Sequence, residues 1–92
     1  MIITCIFEFA DIINKNLRIT RYANQDSRFT CSFDGAEIID RMSLVSMFGE
    51  GSTIDNAIRN YCTEIAGRIL VFNACSGRRS EFKVPANIGL KP

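Results

Sequence analysis

Ser52-Thr53-Ile54-Asp55-Asn56-Ala57-Ile58-Arg59-Asn60-Tyr61-Cys62-Thr63-Glu64-Ile65-Ala66-Gly67 is the stretch in which the chain changes its hydrophobic rhythm. Ile54, Ala57, Ile58, Tyr61, Cys62 and Ile65 recur at the three- and four-residue steps that put side chains on one face of an α-helix. Ser52 or Thr53 supplies an N-cap oxygen, Asp55 puts a carboxylate in the first turn, and Gly67 stands where a helix takes its terminating glycine. The opposite face, Asn56, Arg59, Asn60, Thr63 and Glu64, is polar. Burying the apolar stripe is worth very roughly 10 kcal/mol gross. A lone helix this short does not hold in water, so the stripe must lie on a sheet.

Working outward, the period becomes two. Arg28 to Phe33 alternates Phe29, Cys31 and Phe33 against Arg28, Thr30 and Ser32, as a half-buried antiparallel strand requires. Asp34-Gly35 follows and reads as a type I′ hairpin turn. A strand pair is then expected from Ala36 to Phe48, interrupted at Asp40-Arg41 by a bulge or short loop. Leu17 to Tyr22 is a strand by the same alternation, and the polar run within Ala23 to Ser27 connects it to the next. Ile2 to Phe9, rich in β-branched and aromatic residues, reads as the first strand, with Ile3, Cys5, Phe7 and Phe9 on one face and Ala10 to Asn16 as a turn. Beyond the helix, Ile69-Leu70-Val71-Phe72 suits an interior strand. Cys75 to Arg79 turns the chain, and Ser80 to Val84 is a last strand that Pro85 ends. The expected fold is α+β, a mostly antiparallel sheet with one helix packed on one face, in the order β-β-β-β-α-β-β. Residues 1–85 form a single domain, and 86–92 a loosely ordered tail.

Composition narrows the function classes. The chain has 92 residues, enough for one core without staples. Eleven basic against ten acidic side chains leave a net charge of +1, so electrostatic recognition has to come from a local patch. No basic-then-apolar leader opens the chain, and no apolar run approaches the ~20 residues of a membrane span. A cytoplasmic location is expected, with Cys5, Cys31, Cys62 and Cys75 as reduced thiols, widely spaced and without a C-x-x-C pair. Histidine is absent, which removes the usual neutral-pH base and the commonest metal ligand.

Each candidate site meets a plainer reading. Gly49-Glu50-Gly51-Ser52-Thr53 at a helix start has the look of an anion cradle, but Glu50 would repel a phosphate and no Gly-Lys-Ser/Thr run follows. Cys5, Cys31 and Cys62 fall on apolar faces and behave as small hydrophobes, so no metal site is assigned. Cys75 lies in a turn near Arg78 and Arg79, a setting in which a reactive thiol is weighed against an ordinary loop cysteine. Asp11, Glu37, Asp40, Glu50, Asp55 and Glu64 are scattered, so no catalytic residue and no cofactor are assigned. Arg78, Arg79 and Lys83, joined by Arg68 across a hairpin, form the dense basic cluster and are the expected partner-binding residues. The plainer reading is a solvated hairpin tip guarding a strand edge. Arg18, Arg21 and Arg28 offer a second patch on the outer sheet face, with Arg18 and Arg28 there only if the register pairs them.

From Arg28 onward, the succession of strand, Asp34-Gly35, strand, Gly49-Glu50-Gly51-Ser52-Thr53, a helix carrying Ala57-Ile58 and Tyr61, and a further strand resembles the antitoxin half of HicA–HicB type toxin–antitoxin pairs. The resemblance covers residues 17 to 72. It implies a β-β-β-α-β core related to double-stranded-RNA-binding domains. The residues after the core do not read as the separate DNA-binding segment that such antitoxins often carry, and a departure from that family on this point is expected. Tyr61, Gly67, Leu70-Val71-Phe72-Asn73-Ala74, Arg78-Arg79 and Val84-Pro85 also give it the look of small phage or prophage accessory proteins, some of which inhibit host defences, including CRISPR systems. The expected function is therefore non-enzymatic: a viral accessory protein that binds a host protein, with a homodimer through an edge strand as a further expectation. The alternative is a nucleic-acid-binding or antitoxin-like domain.

Overall fold

A computed structural model describes residues 3–22 and 28–91 of the chain. The stripe read from the sequence forms a helix, here α2 (Ile54–Ile65), which buries Ala57, Ile58, Tyr61, Cys62 and Ile65 and leaves the polar face in water. Thr53 is its N-cap, with Oγ1 accepting from the Asn56 amide at 3.1 Å. Gly67, at a φ of +71°, closes the other end in the left-handed region that a side chain disfavours.

The described strands are β1 (Leu17–Arg21), β2 (Phe29–Phe33), β3 (Ala36–Asp40), β4 (Ser43–Val45), β5 (Gly49–Gly51), β6 (Ile69–Phe72) and β7 (Ser80–Lys83), and the class is α+β as expected. They form two antiparallel sheets, β1-β2-β5 and β4-β3-β6-β7, in place of the single sheet expected. Asp34-Gly35 is where the chain crosses between them. Of the two residues, Gly35 alone has a positive φ, +75°, so the turn is not the type I′ hairpin expected from the dipeptide, and β2 and β3 are not partners. The hairpin in this half is instead β3–β4. Asp40 pairs with Ser43 around Arg41-Met42, and Arg41 takes a positive φ of +60° at the first turn position. The connection expected at Ala23 to Ser27 lies outside the described residues.

The strand expected over Ile2 to Phe9 is overturned: α1 (Ile6–Ile13) occupies its second half and runs into the expected turn, while Ile2 lies outside the described residues. The period that wins is Ile6, Phe9, Ala10 and Ile13, all buried, whereas Phe7, on the core face of the expected strand, is 46% exposed. Asn14 ends α1 with a φ of +56°, a conformation asparagine tolerates, and its amide bonds back to the carbonyls of Ala10 and Asp11. The order is thus α-β-β-β-β-β-α-β-β among the described residues.

Within the segment read as a tail, Ile88 and Gly89 make defined contacts. Ile88 is buried, and Gly89 bridges to Cys5 as a short parallel pair. The Gly89 carbonyl accepts from the Ile6 amide at 2.8 Å, and the Gly89 amide donates to the Thr4 carbonyl at 2.7 Å. Cys5, at the N-cap of α1, makes no side-chain cap bond, so the tail satisfies an amide that the helix start leaves free.

Phe33 stands at the centre of the core. Its ring meets Phe9 of α1 at 6.2 Å, Tyr61 of α2 at 6.0 Å and Phe72 of β6 at 6.3 Å, and Phe72 in turn meets Phe82 of β7 at 5.9 Å. This aromatic chain ties the two sheets to both helices in edge-on and tilted geometries.

Candidate functional site

What each sheet edge offers a partner follows from its register. The Tyr22 amide donates to the Arg28 carbonyl and the Asp34 amide to the Asn16 carbonyl. With Arg18 opposite Ser32 and Thr20 opposite Thr30, those positions face β2 through their main chain. The N–H and C=O groups of Leu17, Ile19 and Arg21 therefore point away from the sheet. Arg18 to Arg21 are all exposed, Ile19 among them at 39% although its side chain is on the core face beside Cys31.

The opposite edge of this sheet is closed. β5 lies against α2 so tightly that a Cβ on Gly49 would overlap the Tyr61 amide nitrogen and the Ala57 carbonyl oxygen, and one on Gly51 would come within 2.5 Å of the Ala57 amide nitrogen. The Asn60 side-chain amide donates to the Glu50 carbonyl. Where β5 runs out, the Phe33 amide finds the Tyr61 hydroxyl at 3.0 Å in place of a neighbouring strand. Burial pushes the Tyr61 phenol up to about 12. Gly49-Glu50-Gly51 is thus a strand made for close helix approach.

In the second sheet β4 is a three-residue edge. At the β7 edge the Val84 amide donates to the Arg68 carbonyl, which leaves Glu81 and Lys83 with outward main-chain groups.

The expected partner-binding residues are not gathered into one patch. Arg79 and Lys83 fall on one face of the second sheet with Glu81 between them, and the Arg79 guanidinium holds Glu81 at 3.0 Å. Arg68 lies on the other face, opposite Asp40, and pairs with it at 3.8 Å. The Arg78 amide donates to Ser76 Oγ within the loop. Alternating signs on an edge strand are what a guarded edge carries.

Arg18, Thr20 and Tyr22 share the outer face of the first sheet with Arg28, Thr30, Ser32 and Glu50, while Arg21, opposite Phe29, is on the core side. Arg18 pairs with Asp34 at 3.5 Å and Arg28 with Glu50 at 2.7 Å, the Tyr22 hydroxyl also donating to Glu50 at 3.3 Å. The bond from Arg28 holds the Glu50 carboxyl below its ordinary range. Arg28, Glu50, Gly51 and Ser52 line an open depression of about 250 Å³. Sequence reasoning missed this Tyr22–Arg28–Glu50 cluster, because only strand pairing brings residues so far apart in the chain onto one face.

Cys5, Cys31 and Cys62 are buried, and Cys75 is exposed. Desolvation pushes the Cys31 thiol up to about 12 and the Cys62 thiol up to about 11, the protonated form being the one an apolar interior accepts. No described helix is long and apolar enough to cross a membrane. Comparison with known proteins returns no matching family model, curated protein or solved structure.

Proposed function

We propose that the chain is a non-enzymatic protein-binding module that takes up an extended segment of its partner on an open sheet edge. The observation that carries this reading is the outward main-chain row of β1, in which Leu17, Ile19 and Arg21 have no backbone partner among the described residues and lie beside exposed side chains. Such a row is a template for strand addition, in which backbone bonds supply affinity and alternate side chains supply selectivity. On this reading the chain acts as a small phage accessory protein by masking a surface of a host protein, and inhibition of a host defence system such as CRISPR is what masking would achieve. The Arg79 and Lys83 face of β7 is the secondary contact.

The test is affinity capture from host lysate at low and high salt, with nuclease present, using the native chain and variants with proline in either edge (Ile19→Pro, Glu81→Pro). Both substitutions remove an outward N–H and cost no ladder bond. Retention of one protein partner through high salt, with loss in one proline variant, is expected. Equal retention by the native chain and both variants would refute strand addition.

A nucleic-acid-binding reading, with the antitoxin-like core it accompanies, draws on one observation: Arg18, Tyr22 and Arg28 share a polar sheet face. Guanidinium groups beside an aromatic ring suit a single strand. Binding of that kind would weaken steeply with salt through counterion release, and nuclease would abolish the capture.

A further inference from the structure

We infer that the occupant of the β1 edge is an acidic extended segment, antiparallel to β1, with the pattern acidic–polar–apolar–acidic–apolar. This inference rests on the strand-addition reading above and specifies its ligand.

Three of the four sheet edges among the described residues are poor receivers. β5 is covered by α2 and by the Asn60 amide, β4 is three residues long, and β7 presents two outward residues, one of them the Glu81 held by Arg79. β1 is five residues long and offers three outward positions.

Charge then selects the occupant. Residues directly opposite one another in an antiparallel pair share a face. A strand laid beside β1 with an apolar side chain opposite Ile19 continues the half-exposed apolar strip that Ile19 makes with Leu17 on the core side. Its residue two positions earlier lies opposite Arg21 on that same side, and its next residue lies opposite Arg18 on the outer side. Carboxylates at those two positions meet a guanidinium on each face, and an apolar side chain at the last position meets Leu17. The Arg18 pair with Asp34, 3.5 Å long with both side chains well exposed, is weak enough to share its cation.

A second copy of the chain fits this edge badly. Antiparallel self-pairing about Ile19 puts Leu17 opposite the other copy's Arg21 and sets the two Arg18 side chains on diagonal positions ~7–8 Å apart, where like charges repel. The same arginines that invite carboxylates guard the edge against its own kind.

The probe is a labelled peptide containing Glu-Thr-Val-Glu-Val, compared with Lys-Thr-Val-Lys-Val, on the full chain. The readouts are binding anisotropy and residue-resolved amide exchange. The glutamate peptide should bind and slow exchange at Leu17, Ile19 and Arg21, and the lysine peptide should bind about tenfold or more weakly. Ile19→Pro should abolish the protection while leaving core amides slow. The double change Arg18→Glu with Arg21→Glu should invert the preference between the two peptides, a result that stands even if the proline variant fails to fold. Equal binding of both peptides, or pairing of these amides between copies in the absence of peptide, would overturn the inference. Protection appearing at Glu81 and Lys83 would overturn the choice of edge and leave strand addition standing. Protection at neither edge would refute both.

Discussion

Tyr61 shows how much a single atom decides. Its hydroxyl accepts the Phe33 amide in a site with almost no solvent, and its ring belongs to the aromatic chain of the core. Tyr61→Phe keeps the ring and strands a buried N–H, so a loss of about 1–3 kcal/mol in denaturant unfolding is expected. Ionisation makes a second prediction. Burial raises the folded-state values of Cys31 and Cys62 from 9.0 to about 12 and about 11, and that of Tyr61 from 10.0 to about 12. Each group is held protonated in the fold to a higher pH than in the unfolded chain. The unfolded state therefore sheds protons first, and stability is full below pH 9 and falls as pH rises toward 12. Circular dichroism followed through an alkaline series should show this loss, with its onset moved up by about one pH unit when Cys31 and Cys62 are both replaced by alanine. The burial of Cys31 and Cys62 was legible from their periodic positions. The partner of Tyr61 was not, because a helical stripe marks which side chains go inward without saying which backbone group waits there.

At the scale of elements, β5 and α2 form a unit whose tolerance is set by hydrogen atoms standing where side chains would begin. Gly49→Ala would drive a methyl group into the backbone of α2, and a loss of about 3 kcal/mol or more is expected in thermal or denaturant unfolding. Gly77→Ala is the control: nothing lies within 4 Å of its Cβ position and its φ is ordinary, so a change within about 0.5 kcal/mol is expected. Two periods competed at the start of the chain. Ile3, Cys5, Phe7 and Phe9 alternate as a strand, and Ile6, Phe9, Ala10 and Ile13 recur as a helix. Propensity favours the first, but Phe33 and Phe72 form an aromatic wall at which a helix delivers Phe9 and its neighbours together. Asn14 was a signal for that helix end, and it lies in the Ala10 to Asn16 segment read from the sequence as a turn.

The whole molecule is closed by its tail. Gly89 ties residues on either side of the α1 start while Ile88 fills the space behind, so the two ends of the described chain support one another. Ile88→Ala should cost about 2–5 kcal/mol of global stability, and exchange at the Ile6 and Gly89 amides should accelerate together. A tail that is only loosely laid down would give neither effect. Prolines, a glycine and small polar residues conceal such an anchor, since one buried isoleucine carries no periodic mark.

Local chemistry was enough to place α2, its cap at Ser52 or Thr53 and its Gly67 stop, the alternation of β1 and β2 and the apolar run of β6, because side chains facing one way along a single element must repeat with that element's own period. Pairing was another matter. The division into two sheets, the helix at Ile6–Ile13, the closed edge at β5, the open one at β1 and the scattering of the Arg68, Arg78, Arg79 and Lys83 cluster all depend on which distant segments meet. Those meetings are settled by the shared core around Phe33, where every element competes for the same buried volume and no segment carries the answer within its own residues.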